Sequence, residues 1–320
     1  MSRTLTRRAA VIGITAVLLS ASTGVAYAAD PTVLLPVGKF PEAVAISPDG
    51  KKAYVTSPPD AIVTVIDTAT NKVTNTIEVD RGPFEVAFTP DGTKAYVANA
   101  YANAISVIDT ASEKMTATLT AGTYPLALTV SPDGTRLYTT GRNTVRVFDT
   151  GTDTQVAEVR FDTDPAALAA SPDGEKVWVA TESGELTAID TATNTVVDAV
   201  KTAASGDLVL SPDGSRAYQN SGTELVVTDL AAHQVVTRIP GLQNGYRLAI
   251  SPDGSRVYAG SRASDTTEGT LAEFSTSTNT LLRKLPAGAY PYGIAVTADG
   301  SHAYVVLAGQ AAVAYVDLRN

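Results

Sequence analysis

The stretch Ser47-Pro48-Asp49-Gly50, followed four residues later by Tyr54, is the first of seven copies of one pattern. The copies that follow are Thr89-Pro90-Asp91-Gly92 with Tyr96, Ser131-Pro132-Asp133-Gly134 with Tyr138, Ser171-Pro172-Asp173-Gly174 with Trp178, Ser211-Pro212-Asp213-Gly214 with Tyr218, Ser251-Pro252-Asp253-Gly254 with Tyr258, and Thr297-Ala298-Asp299-Gly300 with Tyr304. The turn glycines are 42, 42, 40, 40, 40 and 46 residues apart. Proline presets φ, aspartate bonds nearby backbone and glycine adopts positive φ, so each copy predicts a tight turn.

Each repeat has the pattern of four short strands. In the second copy these are residues 85–88, 94–98, 104–108 and 115–119, separated by turn residues and rich in β-branched side chains. A period of about 40 residues with four strands per unit predicts an all-β, seven-bladed β-propeller of four-stranded antiparallel blades. Third strands such as residues 62–66 are apolar on both faces, as expected where each blade is covered by two neighbours. A β-sandwich would have no reason to repeat its sequence seven times.

The aromatic residue after each turn has one role in this interpretation. Six of the 13 tyrosines and the only tryptophan occupy that position. We expect each ring to pack between adjacent blades and not to form a binding surface.

The two ends of the chain predict how the ring closes. The C-terminal residues 313–317 match a third strand, so the last blade lacks a fourth strand of its own. Near the N-terminus, Leu35-Pro36-Val37-Gly38 matches Leu285-Pro286-Ala287-Gly288 of the sixth repeat. Residues 32–37 are therefore predicted to complete blade seven, which would remove open sheet edges.

Three motifs carry a resemblance to a known family. The runs Ala53-Tyr54-Val55-Thr56, Ala95-Tyr96-Val97-Ala98-Asn99 and Val65-Ile66-Asp67-Thr68 resemble those of the YVTN-repeat β-propellers, which include exported and surface-layer bacterial proteins. The resemblance extends over essentially all of the chain after the N-terminal segment. The chain resembles lactonase-like propellers more distantly. It implies a fold and transfers no catalytic residue. A WD-repeat assignment fits less well, because no Trp-Asp pair ends a third strand.

The N-terminal segment has the pattern of an export signal. Arg3, Arg7 and Arg8 precede an apolar run at residues 11–19, and Ala26-Tyr27-Ala28 fits a cleavage site. We predict a signal peptide at residues 1–28 and a single propeller domain at 29–320, hence a secreted or cell-envelope protein without a membrane span in the mature chain. A membrane anchor is the alternative. Thr6-Arg7-Arg8 leaves a twin-arginine route open beside the favoured general secretory route.

Composition narrows the function classes. The net charge of −9 becomes −12 without the three N-terminal arginines, since 21 basic residues then face 33 acidic ones. Nucleic acid is therefore not an expected partner. The chain has no cysteine and only two histidines, His233 and His302, so no metal or cofactor site is predicted. Six aspartates at third-strand ends are interpreted as turn residues and not as a metal array: Asp67, Asp109, Asp149, Asp190, Asp229 and Asp317.

Candidate ligand contacts are the residues that vary where the scaffold repeats. Alignment on the turn glycines isolates three positions before and within each first strand, predicted to surround the mouth of the central channel. Among the aromatic and charged residues at these positions, ten form the predicted site: Phe40, Glu42, Phe84, Glu85, Tyr124, Asp207, Tyr246, Arg247, Tyr290 and Tyr292. The sixth repeat is also lengthened at residues 261–269, beside this mouth. The alternative is that these aromatics only plug the channel.

Two classes of function remain open. The first is a non-enzymatic binding propeller that recognises an extracellular or cell-envelope small molecule, glycan or protein, and acts as a monomer. The second is a lactonase-like hydrolase or lyase that uses carboxylates of the mouth, with or without a divalent cation. The motifs identify no catalytic residue, so they are compatible with both classes.

Overall fold

The repeated stretch forms the turn that the sequence predicts. In the first copy, Ser47 Oγ donates to Asp49 Oδ1 at 2.7 Å, and the amide of Lys51 donates to the same oxygen at 3.0 Å. Gly50 has a φ of +72°, a value that costs glycine little. The turn joins the first two strands of a blade.

The computed structural model describes residues 33–263 and 268–319, which form 28 strands and one short 3₁₀ turn at Ala308–Gln310. The first strands, which surround the channel, are β2 Val44–Ile46, β6 Pro83–Phe88, β10 Leu128–Val130, β14 Pro165–Ala170, β18 Leu208–Leu210, β22 Leu248–Ile250 and β26 Pro291–Val296. The second strands are β3 Lys52–Ser57, β7 Lys94–Asn99, β11 Arg136–Gly141, β15 Lys176–Thr181, β19 Arg216–Asn220, β23 Arg256–Ser261 and β27 His302–Leu307.

The outer strands complete the blades. The third strands are β4 Ile62–Asp67, β8 Ala104–Asp109, β12 Thr144–Asp149, β16 Glu185–Asp190, β20 Glu224–Asp229, β24 Glu268–Ser275 and β28 Ala312–Asp317. The fourth strands are β5 Lys72–Glu78, β9 Lys114–Thr120, β13 Thr154–Arg160, β17 Thr195–Lys201, β21 Gln234–Pro240, β25 Thr280–Ala289 and β1 Val33–Pro36. All seven sheets are four-stranded and antiparallel, which confirms the predicted fold.

The N-terminal strand completes the last blade. In blade 7 the strand order is β1-β28-β27-β26, and β1 runs antiparallel to β28 with Leu35 opposite Val313. This confirms the predicted closure for residues 33–36. Thr32 and the predicted signal peptide lie outside the described residues, and the described residues contain no helix that could span a membrane.

Seven hydrophobic clusters form the core, and each contains one of the repeated aromatic residues. Tyr96 of blade 2 packs in one cluster with Leu128 and Leu137 of blade 3, and Tyr304 of blade 7 packs with Val44 of blade 1. Each of the seven rings is at most 3% exposed: Tyr54, Tyr96, Tyr138, Trp178, Tyr218, Tyr258 and Tyr304. Their predicted role as packing between blades is confirmed.

The turns also contact each other around the ring. A Cβ atom at Gly92 would lie 3.7 Å from Cδ of Pro48, and at Gly134 it would lie 3.2 Å from Cδ of Pro90. The same proline-to-glycine contact joins each turn to the next as far as Gly300. At Gly50, by contrast, no described atom lies within 4 Å of the place that a Cβ atom would occupy. The preceding turn there carries Ala298 in place of proline. The proline contact is therefore missing only where blade 7 meets blade 1, the junction at which the ring closes.

The repeated aspartates at third-strand ends have local partners. Asp67 accepts hydrogen bonds from the amide and hydroxyl of Thr70, at 2.9 and 2.6 Å. These hydrogen bonds hold the pKa of Asp67 below its ordinary value. Among the described residues, no three His, Asp or Glu side chains gather in an arrangement that could hold a metal ion.

Residues Leu34 and Leu35 provide a test of the closing strand. Leu35 is 5% exposed in the blade 7–blade 1 cluster, whereas Leu34, its neighbour, is 51% exposed. We predict that Leu35→Ala lowers the free energy of unfolding by about 2–5 kcal/mol, while Leu34→Ala changes it by well under about 1 kcal/mol. Deletion of residues 32–37 should lower the melting temperature sharply. An unchanged melting curve after the deletion, measured by circular dichroism, would show that β1 does not stabilise the ring.

Candidate functional site

The central channel contains a cavity of about 160 Å³ bordered by first-strand residues. Its wall includes six of the seven residues at one aligned position: Ala43, Glu85, Ala127, Asp207, Arg247 and Gly293. The next residue is aliphatic in all seven repeats, and six of these residues also border the cavity: Val44, Leu128, Leu168, Leu208, Leu248 and Ile294. A small charged group of residues thus lies beside an aliphatic ring in the channel.

Arg247 holds the charged group together across the channel. Its Nη1 atom lies 2.5 Å from Glu85 Oε2 of blade 2 and 3.4 Å from Asp207 Oδ1 of blade 5. The other oxygen of Asp207 accepts a hydrogen bond from the amide of Leu248 at 2.7 Å. The predicted residues Glu85, Asp207 and Arg247 therefore form one cluster, although they are far apart in sequence.

Burial changes the protonation behaviour of these carboxylates. Burial raises the pKa of Glu85 to about 7, and the adjacent Arg247 guanidinium opposes that rise. Burial likewise raises the pKa of Glu42, again against the attraction of Arg247. The positive charge of Arg247 is stabilised by Glu85, Asp207 and Glu42, which together raise its pKa despite its burial. A carboxyl group with a pKa near neutrality beside a cavity could exchange protons at physiological pH.

A first aromatic cluster, the Tyr101 cluster, consists of Phe84, Tyr101 and Tyr124 of blades 2 and 3. Ring centres are 5.5 Å apart for Phe84 and Tyr101 and 6.1 Å apart for Tyr101 and Tyr124. Tyr101 is 54% exposed and Tyr124 is 41% exposed. Gly82 makes room for this packing, because a Cβ atom there would lie 2.6 Å from the Tyr101 ring. The cluster presents aromatic surface to solvent.

A second cluster, the Arg262 cluster, consists of Tyr246, Tyr290, Tyr292 and Arg262 of blades 6 and 7. The rings of Tyr246 and Tyr292 lie 4.3 Å apart. The guanidinium carbon of Arg262 lies 4.3 Å from the centre of the Tyr290 ring, and Arg262 Nε donates to Tyr246 Oη at 3.4 Å. The backbone amide of Arg262 donates to the carbonyl of Gln243 at 2.6 Å. Arg262 is thus held at the described end of the lengthened loop.

Phe40 of blade 1 lies apart from both clusters. Its side chain is 62% exposed, and it forms no ring contact within the described part of the chain. Its backbone is left-handed, with φ of +43°, and the equivalent Tyr124 and Tyr290 have φ of +56° and +57°. The chain is therefore not extended at this aligned position in blades 1, 3 and 7. Large residues seldom adopt positive φ, so these aromatics occupy a position that disfavours them.

The structure thus groups the predicted site residues in a way that sequence alignment could not. Glu85, Asp207 and Arg247 form one group, Phe84 and Tyr124 a second, and Tyr246, Tyr290 and Tyr292 a third. Tyr101 and Arg262, absent from the predicted contacts, belong to the two aromatic clusters. Both lie in loops between second and third strands, and the lengthening of the sixth repeat was the signal that pointed to Arg262. That these residues contact a ligand remains a prediction.

The backbone of Phe40 allows packing and binding to be told apart. The sixth repeat has Asn244 at the same position with φ of +47°, and asparagine tolerates this conformation better than phenylalanine. Because Phe40 is 62% exposed and forms no ring contact among the described residues, we predict that Phe40→Asn raises the free energy of unfolding by about 1 kcal/mol. Chemical denaturation measures this. A loss of stability would instead identify Phe40 as a packing residue.

The ionisation of Glu85 predicts a pH dependence of stability. Its pKa of about 7 in the folded protein lies above the ordinary value of 4.5, so the protonated form of Glu85 favours the folded state. The stability that this protonation contributes is complete below pH 4.5 and is lost as the pH rises through 7. Arg247 and Asp207 are the charged groups that act on Glu85. We predict that the wild-type melting temperature falls between pH 5 and pH 8 and that Glu85→Gln removes part of that slope. Equal slopes in thermal melts of both proteins would contradict this assignment.

The comparisons with known proteins confirm the architecture. No family model matches the chain, and no curated protein matches it in sequence. Among solved structures, it is similar to Kuenenia stuttgartiensis hydrazine synthase, with a TM-score of 0.78 and 24% sequence identity over 89% of this chain and 96% of that one. At this identity the likeness shows the fold, and the chain is a seven-bladed β-propeller.

Proposed function

We propose that this protein is an exported binding propeller of the YVTN-repeat kind, whose channel mouth recognises an extracellular or cell-envelope ligand. The export pattern around Arg3, Arg7 and Arg8 supports the location. The repeated motifs quoted above support the family. The ligand is a small molecule, a glycan or a segment of a protein, and the binding protein acts as a monomer.

The observation that carries the proposal is the exposed aromatic surface at the mouth. Phe40, Tyr101 and Tyr124 are 62%, 54% and 41% exposed, while the repeated aromatics between blades are almost completely buried. Phe40 and Tyr124 also have the left-handed backbone that disfavours them. Unfavourable backbone conformations persist at ligand sites when the side chain is needed there. Aromatic faces stack on sugar and peptide groups at low entropic cost.

A lactonase-like hydrolase or lyase is the second candidate, and one observation favours it. Glu85 combines a pKa near 7 with a position on the wall of the channel cavity. A general acid or base works best with a pKa near the operating pH. In this candidate Glu85 would transfer the proton and Arg247, 2.5 Å away, would hold its carboxylate in place. A divalent cation has no gathered set of three carboxylate or histidine ligands among the described residues.

A thermal-shift panel distinguishes the two candidates. We expect cell-wall glycan or peptide fragments to raise the melting temperature without added metal, because a ligand that binds only the folded state stabilises it. The double variant Tyr101→Ala/Tyr124→Ala should lose most of that shift. Leu282→Ala is the control, since Leu282 is 46% exposed on the fourth strand of blade 6.

Three other outcomes would contradict the binding proposal or its location. Lactone turnover by the wild type that Glu85→Gln abolishes would favour the enzyme. A shift that requires a divalent cation and is reversed by a chelator would favour a metal-assisted enzyme. A glycan or peptide shift that the tyrosine double variant retains in full would place the binding surface elsewhere on the propeller.

A further inference from the structure

The charges at the channel mouth are unbalanced. Arg247 faces three carboxylates, and it contacts Glu85 at 2.5 Å and Asp207 at 3.4 Å. The carboxylate of Glu42 forms no hydrogen bond or ion pair with any residue in the ranges 33–263 and 268–319. One positive and three negative groups give a formal charge of −2 when all are ionised, and of −1 when Glu85, whose pKa is about 7, is protonated. A positively charged ligand group would therefore be favoured, and an anionic group would be repelled.

The Arg262 cluster already holds a positive charge against aromatic faces. Its guanidinium lies 4.3 Å from the centre of the Tyr290 ring and bonds the hydroxyl of Tyr246. The Tyr292 ring lies 4.3 Å from that of Tyr246. Aromatic faces attract ammonium and guanidinium groups, more strongly when water is partly excluded. The three tyrosines thus form a surface with the chemistry and size to receive a cationic group.

The backbone of Glu42 lies between the two aromatic clusters. On one side, a Cβ atom at Gly293, next to Tyr292, would lie 2.7 Å from the carbonyl oxygen of Glu42. On the other side, the amide of Glu42 donates to the carbonyl of Thr56 at 3.0 Å, and the hydroxyl of Thr56 donates to the carbonyl of Phe84 at 3.4 Å.

The pKa of Tyr101 is raised by burial and then by the neighbouring Tyr124 and Glu42. The pKa of Tyr292 is raised by burial and then by Tyr246 and Glu42. A positive group paired with Glu42 would therefore lie between aromatic surfaces on two sides of the channel.

We infer that the mouth binds a primary ammonium or guanidinium group of an organic ligand, between the carboxylate of Glu42 and the tyrosine faces of blades 6 and 7. Arg262 covers these faces when the ligand is absent, and the ligand's cation replaces it. This inference rests on the proposed binding function and specifies the chemical class of the ligand. Lysine or arginine side chains of a peptide and amino groups of a sugar share this chemistry.

Three probes of the same shape and different charge test the inference. Benzylamine, benzyl alcohol and benzoate are titrated separately into the full mature chain by isothermal titration calorimetry. We expect benzylamine to bind at least tenfold more tightly than the other two. Glu42→Gln should weaken benzylamine binding at least tenfold, and Glu175→Gln, an exposed position on a repeat turn, should leave it unchanged. Arg262→Met should strengthen it, because the competing cation is removed. A thermal melt establishes that each variant is folded.

The results that overturn the inference differ from those that overturn the proposed function. Benzyl alcohol or benzoate binding as tightly as benzylamine, or benzylamine binding that Glu42→Gln leaves unchanged, would exclude the cationic class while a binding mouth remained. Loss of benzylamine binding in Arg262→Met would assign Arg262 to the architecture of the site and contradict the replacement step. No binding of any probe, together with stabilisation by a neutral glycan in the panel above, would refute the inference alone. No binding in either experiment would refute both.

Discussion

Burial of one aromatic ring per blade against the next blade is the interaction on which the rest of this structure depends. A four-stranded blade with two apolar faces cannot be stable alone, because both faces must be covered. The ring on each second strand fills the space between one blade and its neighbour, as Tyr96 does between blades 2 and 3. The tight turn before it sets the register of that strand. The same four-residue turn and the same aromatic position therefore recur seven times.

Closure of the ring imposes a second requirement, at the junction of blades 7 and 1. The contact between turns is absent there, since Ala298 replaces proline and Gly50 has no neighbour at the equivalent position. Other interactions cover the same junction. Strand β1 pairs with β28, Leu35 packs beside Tyr304, and Tyr304 Oη donates to Asn71 of blade 1 at 2.6 Å. These contacts hold blades 7 and 1 together where the final copy of the turn carries alanine in place of proline.

Most of the fold could be predicted from the sequence because its signals are local and repeated. Turn residues, strand alternation and the aromatic position each lie within one repeat, and the strands of blade 2 begin and end within two residues of the prediction. The site could be predicted only as a set of aligned positions. That Glu85 of blade 2 meets Arg247 of blade 6 follows from the geometry of the closed channel, which no local pattern encodes. Tyr101 was not predicted because the loops between second and third strands do not align between repeats. The positive φ of Phe40 was not predicted because a phenylalanine side chain gives no indication of it.

The tyrosines of this protein divide between the scaffold and the channel mouth. Six of them pack between blades, and five lie in the two mouth clusters: Tyr101, Tyr124, Tyr246, Tyr290 and Tyr292. The most direct measurement is a spectrum of the protein with ¹³C-labelled tyrosine rings during titration with benzylamine. We predict that only the signals of the mouth tyrosines shift, and that those of the inter-blade tyrosines stay unchanged: Tyr54, Tyr96, Tyr138, Tyr218, Tyr258 and Tyr304. Shifts of these inter-blade tyrosines with a silent mouth would contradict it.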